Sequence, residues 1–68
     1  MNKIPVRSYS SYEIIQIIKA DGWKLKNIEG DHHHFVHKTK PGKVTIPHPV
    51  KSLPKRIAGS ILKQAGLR

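Results

Sequence analysis

The chain has 68 residues, 13 Lys and Arg against 4 Asp and Glu, a formal charge of +9 and no cysteine. This length holds one domain with one small core and excludes a substrate pocket between two domains of a single copy. The missing thiols exclude disulfide staples and thiolate metal sites, and they suit a reducing compartment such as the cytoplasm.

Residues 1–9 show no periodicity and contain Pro5, so they read as an N-terminal arm, with a single domain over 10–68. A helix follows. Ser10 and Glu13 have the spacing of a capping box. Ile14, Ile15 and Ile18 form its apolar stripe, widened by Tyr12 and Ile17, and Asp21-Gly22 stops it. From Trp23 the period is two. The alternation predicts a strand over 23–29, with Trp23, Leu25 and Asn27 on one face and Lys24, Lys26 and Ile28 on the other. Gly30-Asp31 is a turn, and 32–38 is a second strand with Phe35 as its core residue. Thr39-Lys40-Pro41-Gly42 turns the chain into a third strand over 43–46, where Val44 and Ile46 face the core. Pro47 and Pro49 should end ladder bonding. Ser52 as N-cap, Pro54 in the first turn and the stripe Ile57, Ile61, Leu62 and Ala65 predict a second helix, ended by Gly66. The fold class is α+β in the order α-β-β-β-α. It pairs a three-stranded antiparallel sheet with two helices on one face, the other face staying solvated.

No apolar run exceeds two residues, so no membrane span is expected. The N-terminal residues also lack the apolar h-region of a secretory signal. The basic residues punctuate this foldable pattern along the whole chain. A folded domain with such an excess presents a surface for a polyanion, most simply nucleic acid, or for an acidic protein.

All five histidines are His32, His33, His34, His37 and His48. Strand geometry puts His32 and His34 on one face, about 6.6 Å apart, and His33, Phe35 and His37 on the other. Phe35 belongs to the core, so His32 and His34 project from the open face. Three readings compete. Histidines fit a half-buried strand as structural residues. His32 and His34 could approach one ion, yet four ligands for a closed zinc site are wanting. Histidine beside a phosphate-binding surface can also move the proton of a ribose 2′-OH. Lys24, Lys26, Lys38 and Lys55 are candidate phosphate contacts, and His34 a candidate by position. His48, between two prolines, suggests a shaped loop with a structural role.

The ordered motifs Asp21-Gly22-Trp23, Gly30-Asp31-His32-His33-His34-Phe35, Val44-Thr45-Ile46-Pro47-His48-Pro49, Leu53-Pro54 and Ser60-Ile61-Leu62-Lys63-Gln64-Ala65-Gly66-Leu67 resemble the HicA family. Its members are mRNA interferases of bacterial and archaeal toxin–antitoxin pairs. The resemblance runs from about Ser8 to Leu67. It implies a fold similar to double-stranded-RNA-binding domains and cleavage of mRNA, for which the missing thiolates and the four carboxylates predict no need of a metal or small-molecule cofactor. It also implies a HicB-type antitoxin that covers the active face. The family's active histidine maps onto His32 and its preceding glycine onto Gly30. Asp31 replaces the commoner serine, which removes any hydroxyl role there. A non-catalytic RNA-binding module of the same fold is the alternative.

Overall fold

The computed structural model describes residues 4–68. Residues 1–3 of the expected arm lie outside the described residues. The elements are α1 (Ser11–Ala20), β1 (Trp23–Glu29), β2 (His32–His37), β3 (Lys43–Pro47) and α2 (Lys55–Gln64). The strands form one antiparallel sheet in the order β1-β2-β3. The α-β-β-β-α order and the single sheet agree with the expectation.

The core lies between the helices and one sheet face. Trp23, Phe35, Val44 and Ile46 from the strands meet Ile14, Ile15 and Ile18 of α1 and Ala58, Ile61 and Leu62 of α2. The Trp23 indole also donates its Nε1–H to the Ala65 carbonyl at 3.2 Å. This gives the end of α2 a partner for a carbonyl that has none within the helix. Tyr12 and Ile57, expected in the apolar stripes, are exposed at 64% and 40%. Each lies on the flank of its helix that turns away from the sheet.

The capping box of α1 is complete. Ser10 Oγ accepts from the Glu13 N–H, and Glu13 Oε1 accepts from the Ser10 N–H. The backbone bond from Ser10 holds the Glu13 carboxyl below its ordinary pKa, helped by the Ser10 hydroxyl and Arg7. The second helix starts later than expected. Its N-cap is Pro54, not Ser52, and no side chain among the described residues caps it. The cause is tertiary: Leu53 donates to and accepts from the Tyr9 backbone, which keeps 52–53 extended. Tyr9 is itself buried, and its hydroxyl donates to the Pro5 carbonyl.

Two further departures concern the sheet. A β-bulge lies between Leu25 and Asn27, with Lys26 as the extra residue. Past the bulge, Asn27 pairs with His34 on the open face and Ile28 with His33 on the helix side, the reverse of simple alternation. Lys24 and Lys26 are therefore not two steps of one uninterrupted alternation. Pairing also continues past Pro47, because the His48 N–H donates to the Asp31 carbonyl at 2.8 Å. Pro47 costs no ladder bond, since β3 is an edge strand.

Candidate functional site

Two consecutive ladders fix what the uncovered sheet face presents. At the hairpin end, Glu29, His32 and Pro47 stand in one row across the three strands. Asn27, His34 and Thr45 form the next row, and Lys24, Val36 and Lys43 the third. Helix-side rows interleave with these: Ile28, His33 and Ile46, then Leu25, Phe35 and Val44. The rows carrying His32 and the two lysines lie four β2 residues apart, about 13 Å.

Gly30 and Asp31 make the two-residue turn that sets this register. Gly30 has φ +61° and Asp31 a negative φ, the pattern of a type II′ hairpin turn. His32 therefore opens β2 at the tip of the hairpin. Its side chain is 59% exposed, and its Nε2 lies 3.8 Å from Asp31 Oδ1, beyond hydrogen-bond range.

The other histidines differ. His34 lies on the same face as His32, but it is only 7% exposed and does not project freely. Its Nε2 is 2.7 Å from Glu29 Oε1 and its Nδ1 2.8 Å from Thr45 Oγ1. Cross-strand neighbours on both sides cover it, which strand alternation alone does not show. His37, on the helix side, donates from Nε2 to the Asp21 carbonyl and accepts at Nδ1 from the Thr39 and Lys40 N–H groups. His48 Nδ1 bonds the buried Ser11 hydroxyl at 2.6 Å, tying the loop after β3 to α1. The His33 ring meets His48 edge-on at 5.0 Å, and its buried Nδ1 has no hydrogen-bond partner among the described residues. Among the described residues, His32 is thus the histidine whose ring is both exposed and unbonded.

The lysine candidates do not form one cluster. Lys24 and Lys38 line a groove of about 610 Å³ with Asp21, Gly22, His37 and Thr39. Lys55 lines a different groove of about 650 Å³, beside Arg56, Gly59, Lys63 and Arg68. Among the described residues, that second groove has four cationic side chains and no carboxylate in its lining. The acids are engaged elsewhere: Glu13 with Arg7, Asp21 with Lys40, Glu29 with His34 and Asp31 beside His32. Sequence reasoning missed Lys43 and Glu29. Lys43 alternates with Val44 and Ile46, so the third-strand pattern itself puts it on the open face. Glu29 had no such signal, because the bulge decides its face.

Among the described residues no group of three His, Asp or Glu side chains is arranged to hold a metal ion. No helix of the described residues is long and apolar enough to cross a membrane. Comparison with curated proteins finds no match. A family model described as "HicA toxin of bacterial toxin-antitoxin" matches residues 11–67.

Proposed function

The chain belongs to the HicA toxin family and is the toxin of a toxin–antitoxin system with an antitoxin as partner, and we propose that it acts as a metal-independent endoribonuclease that cleaves mRNA and so inhibits translation. His32 is its acid–base residue. The observation that carries this reading is the contrast among the histidines. Three rings are held by hydrogen bonds and His33 is packed against His48, whereas the His32 ring is exposed and unbonded. An imidazole that must exchange protons with a substrate needs that freedom, and histidine titrates near neutrality.

The surroundings support the same reaction. Among the described residues no helix covers the face of His32, so an RNA strand can reach it. Lys24 and Lys43 stand on that face and offer charge to the phosphates on one side of the scissile bond. The phosphate backbone supplies most of the affinity of such a strand, and cationic side chains recognise it without reading sequence. The HicB-type antitoxin, an acidic protein, occupies the same face and excludes the RNA.

The test compares the intact chain with His32→Ala on an RNA substrate, with and without a chelator. Loss of cleavage in the variant, with RNA binding retained and with chelator-insensitive cleavage by the parent, is the expected result. Equal cleavage by both proteins sinks the assignment. RNA binding without cleavage by either protein marks a non-catalytic RNA-binding module.

A further inference from the structure

One imidazole cannot both remove the 2′-hydroxyl proton and protonate the leaving oxygen in a single step. If the chain is a ribonuclease, as read above, a second group must stand beside His32. We propose that Glu29 is that group, the general base that complements His32 as general acid.

The bulge in β1 brings the two together. Continued from Leu25–Phe35 without it, the register would set Ile28 opposite His32 and leave Glu29 in the turn. With Lys26 inserted, Glu29 is the direct cross-strand partner of His32 on the uncovered face. Such partners have Cβ atoms about 4.5–5.5 Å apart. Bulges often stand beside active sites, where they re-aim a side chain.

The Glu29 carboxylate is also held from behind. Its Oε1 bonds His34 Nε2 at 2.7 Å, and His34 Nδ1 bonds Thr45 Oγ1 at 2.8 Å. With the proton of neutral His34 on Nε2, every bond runs one way: Thr45 hydroxyl to His34, His34 to Glu29. His34 is 7% exposed, so this support is fixed, while the Glu29 side chain is 71% exposed and offers its second oxygen to a ligand. The two bonds that cover His34 on the open face thus also hold Glu29. His34 and Thr45 are positioning residues. Asp31 is the weaker candidate: it sits on the turn and no side-chain hydrogen bond holds it among the described residues.

The step balances without any other reactant. Glu29 takes the proton of a ribose 2′-OH as that oxygen bonds to the adjacent phosphorus. The bond from phosphorus to the 5′-oxygen breaks, and protonated His32 gives its proton to that oxygen. The products are a 2′,3′-cyclic phosphate and a 5′-hydroxyl, with Glu29 protonated and His32 neutral.

The experiment measures kcat and KM of the full chain on a short RNA across pH. The variants are Glu29→Gln, Glu29→Asp, Asp31→Asn, Thr45→Val and His32→Ala, each checked for folding by thermal melting. Among the described residues, the ionisable groups beside Glu29 are His32 and His34 of β2, and Asp31 of the turn lies beside His32, so Asp31→Asn controls for the other carboxylate. Glu29→Gln is expected to lower kcat about 10²–10⁴-fold with little change in KM, and to lose the limb of the pH profile that rises from acid pH. Glu29→Asp keeps a carboxylate and retains that limb at reduced kcat, which carries the test even if the Gln variant fails to fold. Asp31→Asn keeps the parent's profile, and Thr45→Val lowers kcat with the profile's shape intact. An unchanged profile in folded Glu29→Gln, or a lost acidic limb in Glu29→Asp, overturns the assignment while an inactive His32→Ala leaves the ribonuclease reading standing. Cleavage by His32→Ala equal to the parent's defeats both.

Discussion

Gly22 runs so close to His37 that a Cβ on Gly22 would lie 2.8 Å from the His37 Nε2. Gly22 also has φ +103°, a conformation that costs any L side chain energy. The contact matters because His37 Nε2 is already bonded to the Asp21 carbonyl, so the ring cannot step aside without losing that bond. Gly22→Ala is therefore expected to destabilise the fold by about 1–3 kcal/mol. Gly59 supplies the comparison: it is helical, and its nearest atom for an added Cβ is Val6 Cγ1 at 3.8 Å. Gly59→Ala is expected to stabilise by about 0.5–1 kcal/mol. Chemical denaturation of both variants checks the pair, and equal shifts would contradict the geometry.

The α1 capping box gives a pH dependence with a definite sign. The Glu13 pKa is lowered in the folded chain, so Glu13 contributes stability above its unfolded value, and that contribution is lost as pH falls through the folded value. Ser10→Ala removes the cap and should cost about 1 kcal/mol near neutral pH. It should also flatten the acid side of the stability curve, because it takes away a hydroxyl that favours the charged carboxyl. Thermal melting from neutral to acid pH measures both, and parallel curves for parent and variant would refute the coupling.

RNA binding should depend steeply on salt. About 4–6 phosphate contacts to a single strand give a log–log slope of about −3 to −4. Lys24 and Lys43 flank Val36 on the open face, so Lys24→Gln and Lys43→Gln should each reduce that slope by about 0.7. Their affinity loss should be uniform across RNA sequences, since phosphate contacts carry no base information. Titrations at several salt concentrations test this. Slopes unchanged in both variants would move the RNA elsewhere, the groove of Lys55, Arg56, Lys63 and Arg68 being the next surface to mutate.

An antitoxin that excludes RNA should perturb the rows Glu29–His32–Pro47 and Lys24–Val36–Lys43 of the open face. Amide chemical shifts of the labelled toxin on adding antitoxin map this directly. Changes confined to 55–68 would place the antitoxin on the helix side and leave His32 open. The complex should also melt above the free toxin, by an amount that grows with antitoxin concentration, because only the folded state binds.

How much of this was legible in the sequence follows from the range of each signal. Helix caps, turn glycines and apolar periods are local, and they determined the element order, the Ser10–Glu13 box, the inward Val44 and Ile46 and the position of His32 just after the turn. Contacts between distant segments decided the rest. The Tyr9–Leu53 bridge moved the start of α2 past Ser52. Cover from Glu29 and Thr45 buried His34, which alternation alone leaves projecting. The bulge at Lys26 exchanged the faces of Asn27 and Ile28 and carried Glu29 to His32. A period of two carries no mark of where one residue slips out of register, because only the partner strand defines the register. The sequence by itself therefore determined which residue types the site could use, and the pairing of β1 with β2 decided which of them stand side by side.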